Sequence, residues 1–233
     1  MIDIHTHVLP HIDDGSKSIH MSISMLRESY SQGVTALAAT PHFYIKNDDI
    51  ESFLSKRDQA FKALKKEISS YTDIPHIYLG AEVYYFNGIG SYENIEKLTF
   101  NNTNYILLEM PFNKWNQRVF REVDELIYNR GLTPVIAHIE RFIPFQKGTD
   151  NIDQLLSMKV IAQMNGEHLL GFFTRRQALK WLSSGVVKLL GSDMHNTDTR
   201  PQCLGSAADI ITKKLGKEIL DNTEALSRQV LGI

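Results

Sequence analysis

Apolar residues fall along this chain in two rhythms. Short aliphatic and β-branched runs without polar alternation occur at 2–4, 34–39, 76–83, 105–108, 133–137, 160–164 and 186–190. Such runs predict strands covered on both faces, as in a parallel sheet. Between them lie longer stretches with apolar residues at helical spacing. Ser16 is placed to cap a helix carrying Ile19, Ile23, Leu26 and Tyr30 on one face, and Gly33 to end it. Further helices are expected over 48–69, 116–129, 149–158, 174–183 and the C-terminal segment. The alternation describes repeated βα units, about seven of them, around a parallel barrel. No proline-rich or glycine-rich linker, internal repeat or low-complexity tract divides the chain, so a single domain over 1–233 is expected.

Composition narrows the class. The apolar fraction of 42% and charged fraction of 22% are those of an ordinary globular protein, which removes disorder and collagen-like repetition from consideration. The chain starts directly on Ile2-Asp3-Ile4-His5 and has no apolar run of membrane-spanning length, so neither secretion nor membrane insertion is expected. Cys203 is the single cysteine, which excludes an internal disulfide framework and suits a cytoplasmic location. A net charge of -2 gives no reason to expect a nucleic-acid partner, and Lys213, Lys214 and Lys217 read as the solvated face of a helix.

The candidate chemistry gathers where the strands end. His5 and His7 follow the first run, His42 the second, Glu82 and Glu109 end the third and fourth, His138 ends the fifth, and Asp193 and His195 follow the last. In a parallel barrel every strand C-terminus opens on one face, so these side chains can converge despite their separation in sequence. His5-Thr6-His7 puts two imidazoles on one side of an extended strand, a chelating geometry, and Asp193-Met194-His195 repeats the spacing, with an Asp-His hydrogen bond as the competing reading. Of Asp13-Asp14-Gly15, one aspartate is expected to serve a turn and Asp14 to face a metal. Glu82 and Glu109 each close a strongly apolar run, where a carboxylate needs a cation or another partner. Imidazoles mixed with several carboxylates suit a multinuclear divalent site. Arg141 and Arg200, on loops at the same face, are the candidates for gripping a phosphoryl group, against the alternative of surface pairing with Glu140 or Asp198. Tyr84, Tyr85, Phe86, Phe112, Phe142 and Phe145 are either core or the wall of a pocket for an aromatic leaving group. His20 and His76 read as surface or packing residues, while His11 and His168 are left open.

The ordered set Asp3-Ile4-His5-Thr6-His7, Asp13-Asp14-Gly15, Thr40-Pro41-His42, Gly80-Ala81-Glu82, Leu107-Leu108-Glu109, Ala137-His138-Ile139-Glu140-Arg141 and Gly191-Ser192-Asp193-Met194-His195 resembles the polymerase and histidinol phosphatase (PHP) superfamily. More narrowly it is similar to the manganese-dependent tyrosine-protein phosphatases of bacterial capsule and exopolysaccharide operons. The resemblance runs from residue 1 to about residue 201. It implies a distorted (β/α)7 barrel with three divalent ions, Mn foremost and Fe, Co, Mg or Zn as alternatives. It places His5, His7, Glu82 and Asp193 on one ion, Glu82 as a bridge to a second held by Glu109 and His138, and Asp14, His42 and His195 on the third. Arg141 and Arg200 would bind phosphate. Ile139, Met194 and Gln202 depart from the pattern without removing a ligand.

The implied reaction is hydrolysis of phosphotyrosine by metal-activated water, with a cognate bacterial tyrosine kinase as protein substrate. The alternatives are a small-molecule phosphomonoesterase acting on histidinol phosphate or a sugar phosphate, a nuclease, disfavoured by the missing basic track, and a metal-stabilised regulatory module without turnover. The thiol mechanism is excluded, because Cys203 lacks the arginine of a Cys-x5-Arg loop.

Overall fold

A computed structural model describes residues 1–233. Its strands are β1 (Ile2–Thr6), β2 (Ala36–Ala39), β3 (His42–Phe43), β4 (His76–Leu79), β5 (Glu82–Tyr84), β6 (Tyr105–Glu109), β7 (Thr133–Ile136), β8 (Ile161–Asn165) and β9 (Val187–Gly191). Every strand pair is parallel, in the orders β1-β2-β4 and β3-β5-β6-β7-β8-β9. The run expected at 34–39 extends past Thr40-Pro41 into β3, and the run expected at 76–83 is interrupted at Gly80-Ala81. The interruptions lie side by side, and Gly80 N–H donating to Ala39 O at 2.9 Å and Glu82 N–H to Pro41 O at 3.0 Å carry the pairing across them. At the other edge, Asp193 N–H donates to His5 O at 2.8 Å and His7 N–H to Met194 O at 2.9 Å, joining the chain beyond β9 to β1. The architecture is mixed α/β with its strands following one another in ring order.

The core explains why the strand runs lack polar alternation. Ile2, Ile4, Ala36, Ala38, Tyr105, Leu107, Val135, Ala137 and Leu189 form one apolar cluster with Phe100, Val230 and Leu231. Their sequence neighbours Leu37, Ala39, Ile106, Leu108, Ile136 and Leu190 belong to the larger cluster shared with the helices. Alternate residues of each strand therefore face an inner and an outer apolar layer. On β6 the inward row Tyr105, Leu107 ends in Glu109, which brings a carboxylate to the mouth of the inner layer.

The helices are α1 (Ile19–Ser31), α2 (Ile50–Glu67), α3 (Gln117–Tyr128), α4 (Asn151–Ser157), α5 (Glu167–Leu170), α6 (Arg175–Ser183), α7 (Leu204–Leu215) and α8 (Lys217–Leu231). Asp49 caps α2 through Ser52 N, and Asn116 caps α3. None is long and apolar enough to cross a membrane. Two expectations for α1 are corrected. Its N-cap is Ser18, which accepts from Met21 N, whereas the buried Ser16 hydroxyl donates to Ser18 O at 2.9 Å and pairs with Ser22 Oγ at 2.8 Å. The buried face is Ser22, Met25, Leu26 and Ser29, and Tyr30 is exposed. The helix is turned because Ser29 and Ser22 find buried hydrogen-bond partners, a gain that an apolar-periodicity count does not register.

Candidate metal centre

The polar residues gather in one concavity, although Glu82 and His42 open β5 and β3 rather than ending strands, because the runs before them break at Gly80-Ala81 and Thr40-Pro41. His5 and His7 leave β1 with their Nε2 atoms 3.2 Å apart. Glu82, at the start of β5, places Oε2 at 3.1 Å from His5 Nε2 and 3.2 Å from His7 Nε2. Asp193 Oδ1 lies 3.5 and 3.3 Å from the same two nitrogens. The centre of a tetrahedron with edges of this length is about 2.0 Å from each vertex, which is the metal–ligand distance of imidazole and carboxylate sites. On the far side of Glu82, Oε1 stands 2.9 Å from His138 Nε2, and Glu109 Oε1 is 3.4 Å from that nitrogen. A third group joins Asp14, His42 and His195: Asp14 Oδ1 is 3.2 Å from His195 Nε2 and 3.5 Å from His42 Nε2. His42 also faces inward, with Nδ1 3.0 Å from Glu82 Oε2 and 4.0 Å from Glu109 Oε2. His7, Asp14, His42 and His195; His5, His7, Glu82 and Asp193; and His42, Glu82 and Glu109 are each compact enough to hold an ion.

The donor set fits a cation on its own chemistry. His42 Nδ1, Glu82 Oε2 and His195 Nε2 are buried without a hydrogen-bond partner, although each has another ligand atom within 3.0–3.2 Å. Orphaned polar atoms packed against one another are costly unless a charge sits between them. Burial pushes the carboxyls of Glu82 and Asp193 up, but the surrounding imidazoles, His5 first, hold both well below their ordinary values, so both are anionic. Burial would lower His138, yet hydrogen bonds to Glu109 and Glu82 raise it to about 10. His195 falls to about 4 through burial and the charge on His7.

The backbone bends to make these contacts. His138 and Asp193 have φ of 30° and 55°, rare for residues with a Cβ. The left-handed turn at Asp193 separates it from His195, so the two do not chelate one point as their spacing suggested. Asp193 Oδ1 joins the His5–His7 vertex, whereas His195 Nδ1 bonds Asp193 O at 2.9 Å and turns Nε2 toward Asp14. A Cβ on Gly191 would stand 2.6 Å from His5 Cβ, so glycine is required where β9 passes the histidine pair.

Both arginines reach the rim. Arg141 and Arg200 each place a guanidinium nitrogen on Asp193 Oδ2, at 2.8 and 2.7 Å, and each is about one-third exposed. Neither is held by Glu140 or Asp198. Two guanidinium groups sharing one carboxylate oxygen beside the donor cluster leave donors free for an anion.

Several positioning residues were not legible. Asp13, expected to serve only a turn, does bond Gly15 N at 2.9 Å, but its Oδ2 also lies 2.7 Å from His7 Nδ1 and accepts from His42 N at 3.0 Å. Gln163 Oε1 accepts from His138 N at 2.8 Å and lies 3.3 Å from His5 Nδ1, while Asn165 Nδ2 donates to Asp193 Oδ2 at 3.0 Å. Their signal was an alternating Gln-Met-Asn inside a strand run. Asp3 accepts from His5 N, Ser192 N and Gln202 Nε2, which gives the unexpected Gln202 a packing role. His168 stacks on Trp181 at 5.8 Å, outside the cluster, and His11 lines a cavity with Asp13, Asp14 and His42. His20 and His76 are exposed. Phe142 is buried and Tyr85 nearly so, whereas Phe112 and Phe145 are exposed and Tyr84 and Phe86 half-buried.

Residues 1–227 match the family described as "Capsular polysaccharide synthesis, CpsB/CapC". The chain belongs to this family. Over 93% of its length it is 34% identical to the tyrosine-protein phosphatase CpsB of Streptococcus pneumoniae, covering 91% of that protein. It is 31% identical to the tyrosine-protein phosphatase YwqE of Bacillus subtilis, with 98% of this chain and 92% of that protein aligned. The whole chain superposes on 94% of a solved chain described among the YwqE and CpsB "unique metal-dependent tyrosine phosphatases", with a TM-score of 0.87 at 26% identity. Membership in the CpsB/CapC family and the parallel α/β architecture therefore agree with the resemblance read from the motifs.

Proposed function

We propose that this CpsB/CapC-family chain is a metal-dependent protein-tyrosine phosphatase, a single domain in the cytoplasm. Its substrate would be a tyrosine-phosphorylated protein, the cognate kinase of capsule or exopolysaccharide synthesis. The observation that carries the reading is the pair of guanidinium groups on Asp193 Oδ2, whose other oxygen faces His5, His7 and Glu82. Three divalent ions, Mn first, would be held by His5, His7, Glu82 and Asp193, by Glu82, Glu109 and His138, and by Asp14, His42 and His195. Bound there, such ions supply Lewis-acid charge and lower the pKa of water to the neutral range. The protein's own contribution is positioning and electrostatics. Arg141 and Arg200 orient the non-bridging phosphoryl oxygens and balance the charge that develops on them. Asp13 and Gln163 fix the imidazoles of His7 and His5 from behind. No thiolate participates, since Cys203 is buried and its thiol is pushed up to about 12.

The deciding experiment strips the protein with chelator, reloads single metals, and measures turnover of a phosphotyrosine peptide beside histidinol phosphate. Turnover is expected only with metal and mainly on the peptide; a preference for histidinol phosphate by orders of magnitude assigns the site to small phosphomonoesters. Arg141→Ala and Arg200→Ala should lose turnover while keeping their metal. If metal-loaded wild type is as inert as these variants, the chain is a binding module and the catalytic reading fails.

A further inference from the structure

A groove of about 560 Å³ opens beside the donor cluster, lined by Tyr44, Tyr84, Phe86, Pro111, Asn87 and Asn113 among others. It is continuous with the cluster through two residues. Tyr44 stacks on the His42 ring at 5.1 Å with an interplanar angle of 29°, and Tyr84 pairs across the sheet with Glu109. Tyr84 in turn lies 5.5 Å from Tyr44, so the two rings form a continuous aromatic wall leading outward from the ligands.

Arg141 and Arg200 line a separate hollow with Asp193, Ser192 and Glu167, which shares no lining residue with the aromatic groove. A phosphoryl group whose non-bridging oxygens face the two guanidinium groups points its ester oxygen away from them. Tyr44, stacked on the ligand His42, lines no part of the arginine hollow and stands where the cluster opens outward. Two cavities meet there. One is lined mostly by polar and charged residues, Asp13, Asp14, Asp48 and Lys56 beside Ile12 and Phe53, and the other, the aromatic groove, is the more apolar and suits a ring better.

The geometry points to the Tyr44–Tyr84 groove as the subsite that receives the aryl ring of the substrate, and to these two tyrosines as the residues that select aryl over alkyl phosphate esters. The inference rests on the phosphatase reading and adds to it the source of the discrimination. Asn87 and Asn113 also line the groove, and their amides would pair with the peptide backbone flanking such a ring.

The test compares manganese-reconstituted wild type with Tyr44→Leu, Tyr84→Leu and Tyr44→Phe. Each leucine variant keeps apolar volume but loses the flat ring, and an aromatic pair is worth about two- to tenfold in affinity. On a phosphotyrosine peptide, each leucine variant should raise KM by about that factor, and Tyr44→Phe should restore it. On a phosphoserine peptide and in inhibition by inorganic phosphate, all variants should match wild type. Equal losses on both peptides, or no loss on either, overturn the inference. If wild type turns over neither peptide, the phosphatase reading has failed, and calorimetry still decides the subsite. Phenylphosphonate should then bind more tightly than methylphosphonate, with the margin lost in the leucine variants; equal binding of the two ligands to wild type overturns it.

Discussion

Asp13→Ala isolates what a residue behind the ligands contributes. Asp13 Oδ2 holds His7 Nδ1 at 2.7 Å, which fixes the ring so that Nε2 faces His5, Glu82 and Asp193. The same carboxylate accepts from the backbone N–H of His42 and of Gly15, so it also ties the loop of Asp14 to the strand of His42. Burial alone would push its carboxyl up, but His7 and these N–H groups hold it well below the ordinary aspartate value. Removing such an outer partner of a ligating histidine costs metal affinity by about 10–100-fold, or about 1.4–2.7 kcal/mol. Asp13→Asn retains an acceptor without the charge and should fall between wild type and alanine. The assay is calorimetric titration of manganese into chelator-stripped protein. A second readout uses the pH dependence of metal-free stability. Because the folded carboxyl is depressed, its stabilisation is present above the unfolded aspartate pKa of about 3.9 and disappears as pH falls through the folded value. The stability gap between wild type and Asp13→Ala should therefore be widest above that pH and close in acid. Manganese affinity within twofold of wild type for Asp13→Ala would falsify the positioning role.

Metal affinity itself should rise with pH across the neutral and alkaline range, with protons released on binding. His138 must give up the proton that its neighbours hold to about 10, and calorimetry in buffers of different ionisation enthalpy counts it. Alkylating reagents at neutral pH should leave both activity and Cys203 untouched, since its thiol is buried and pushed up to about 12; mass spectrometry after iodoacetamide treatment checks this. Gly191→Ala should destabilise the protein by about 1–3 kcal/mol through overpacking, because its Cβ would stand 2.6 Å from His5 Cβ. Denaturant unfolding measures the loss, and an unchanged midpoint refutes it.

The sequence by itself determined which residues end strands, because a run buried on both faces is apolar throughout and a carboxylate or imidazole at its last position stands out. Glu109 and His138 were legible in that way, as was the His5-Thr6-His7 pair, whereas Glu82, expected to end a strand, opens β5 because the run breaks at Gly80-Ala81. The motif order was enough to indicate the family that residues 1–227 match, although overall identity to the tyrosine-protein phosphatase CpsB of Streptococcus pneumoniae is 34%. What the local pattern did not contain is distance. Asp193 meeting His5 depends on β9 closing against β1, and Arg141 meeting Arg200 on one oxygen depends on a left-handed turn that no hydrophobic period encodes. Buried polar residues with structural partners were misread for the same reason. Asp13 looked like turn chemistry alone, Gln163 and Asn165 looked like interruptions, and Ser29 turned α1 away from its most apolar face. A buried polar atom is stabilised only by the particular donor or acceptor opposite it, and that partner is fixed by tertiary packing of segments far apart in the chain.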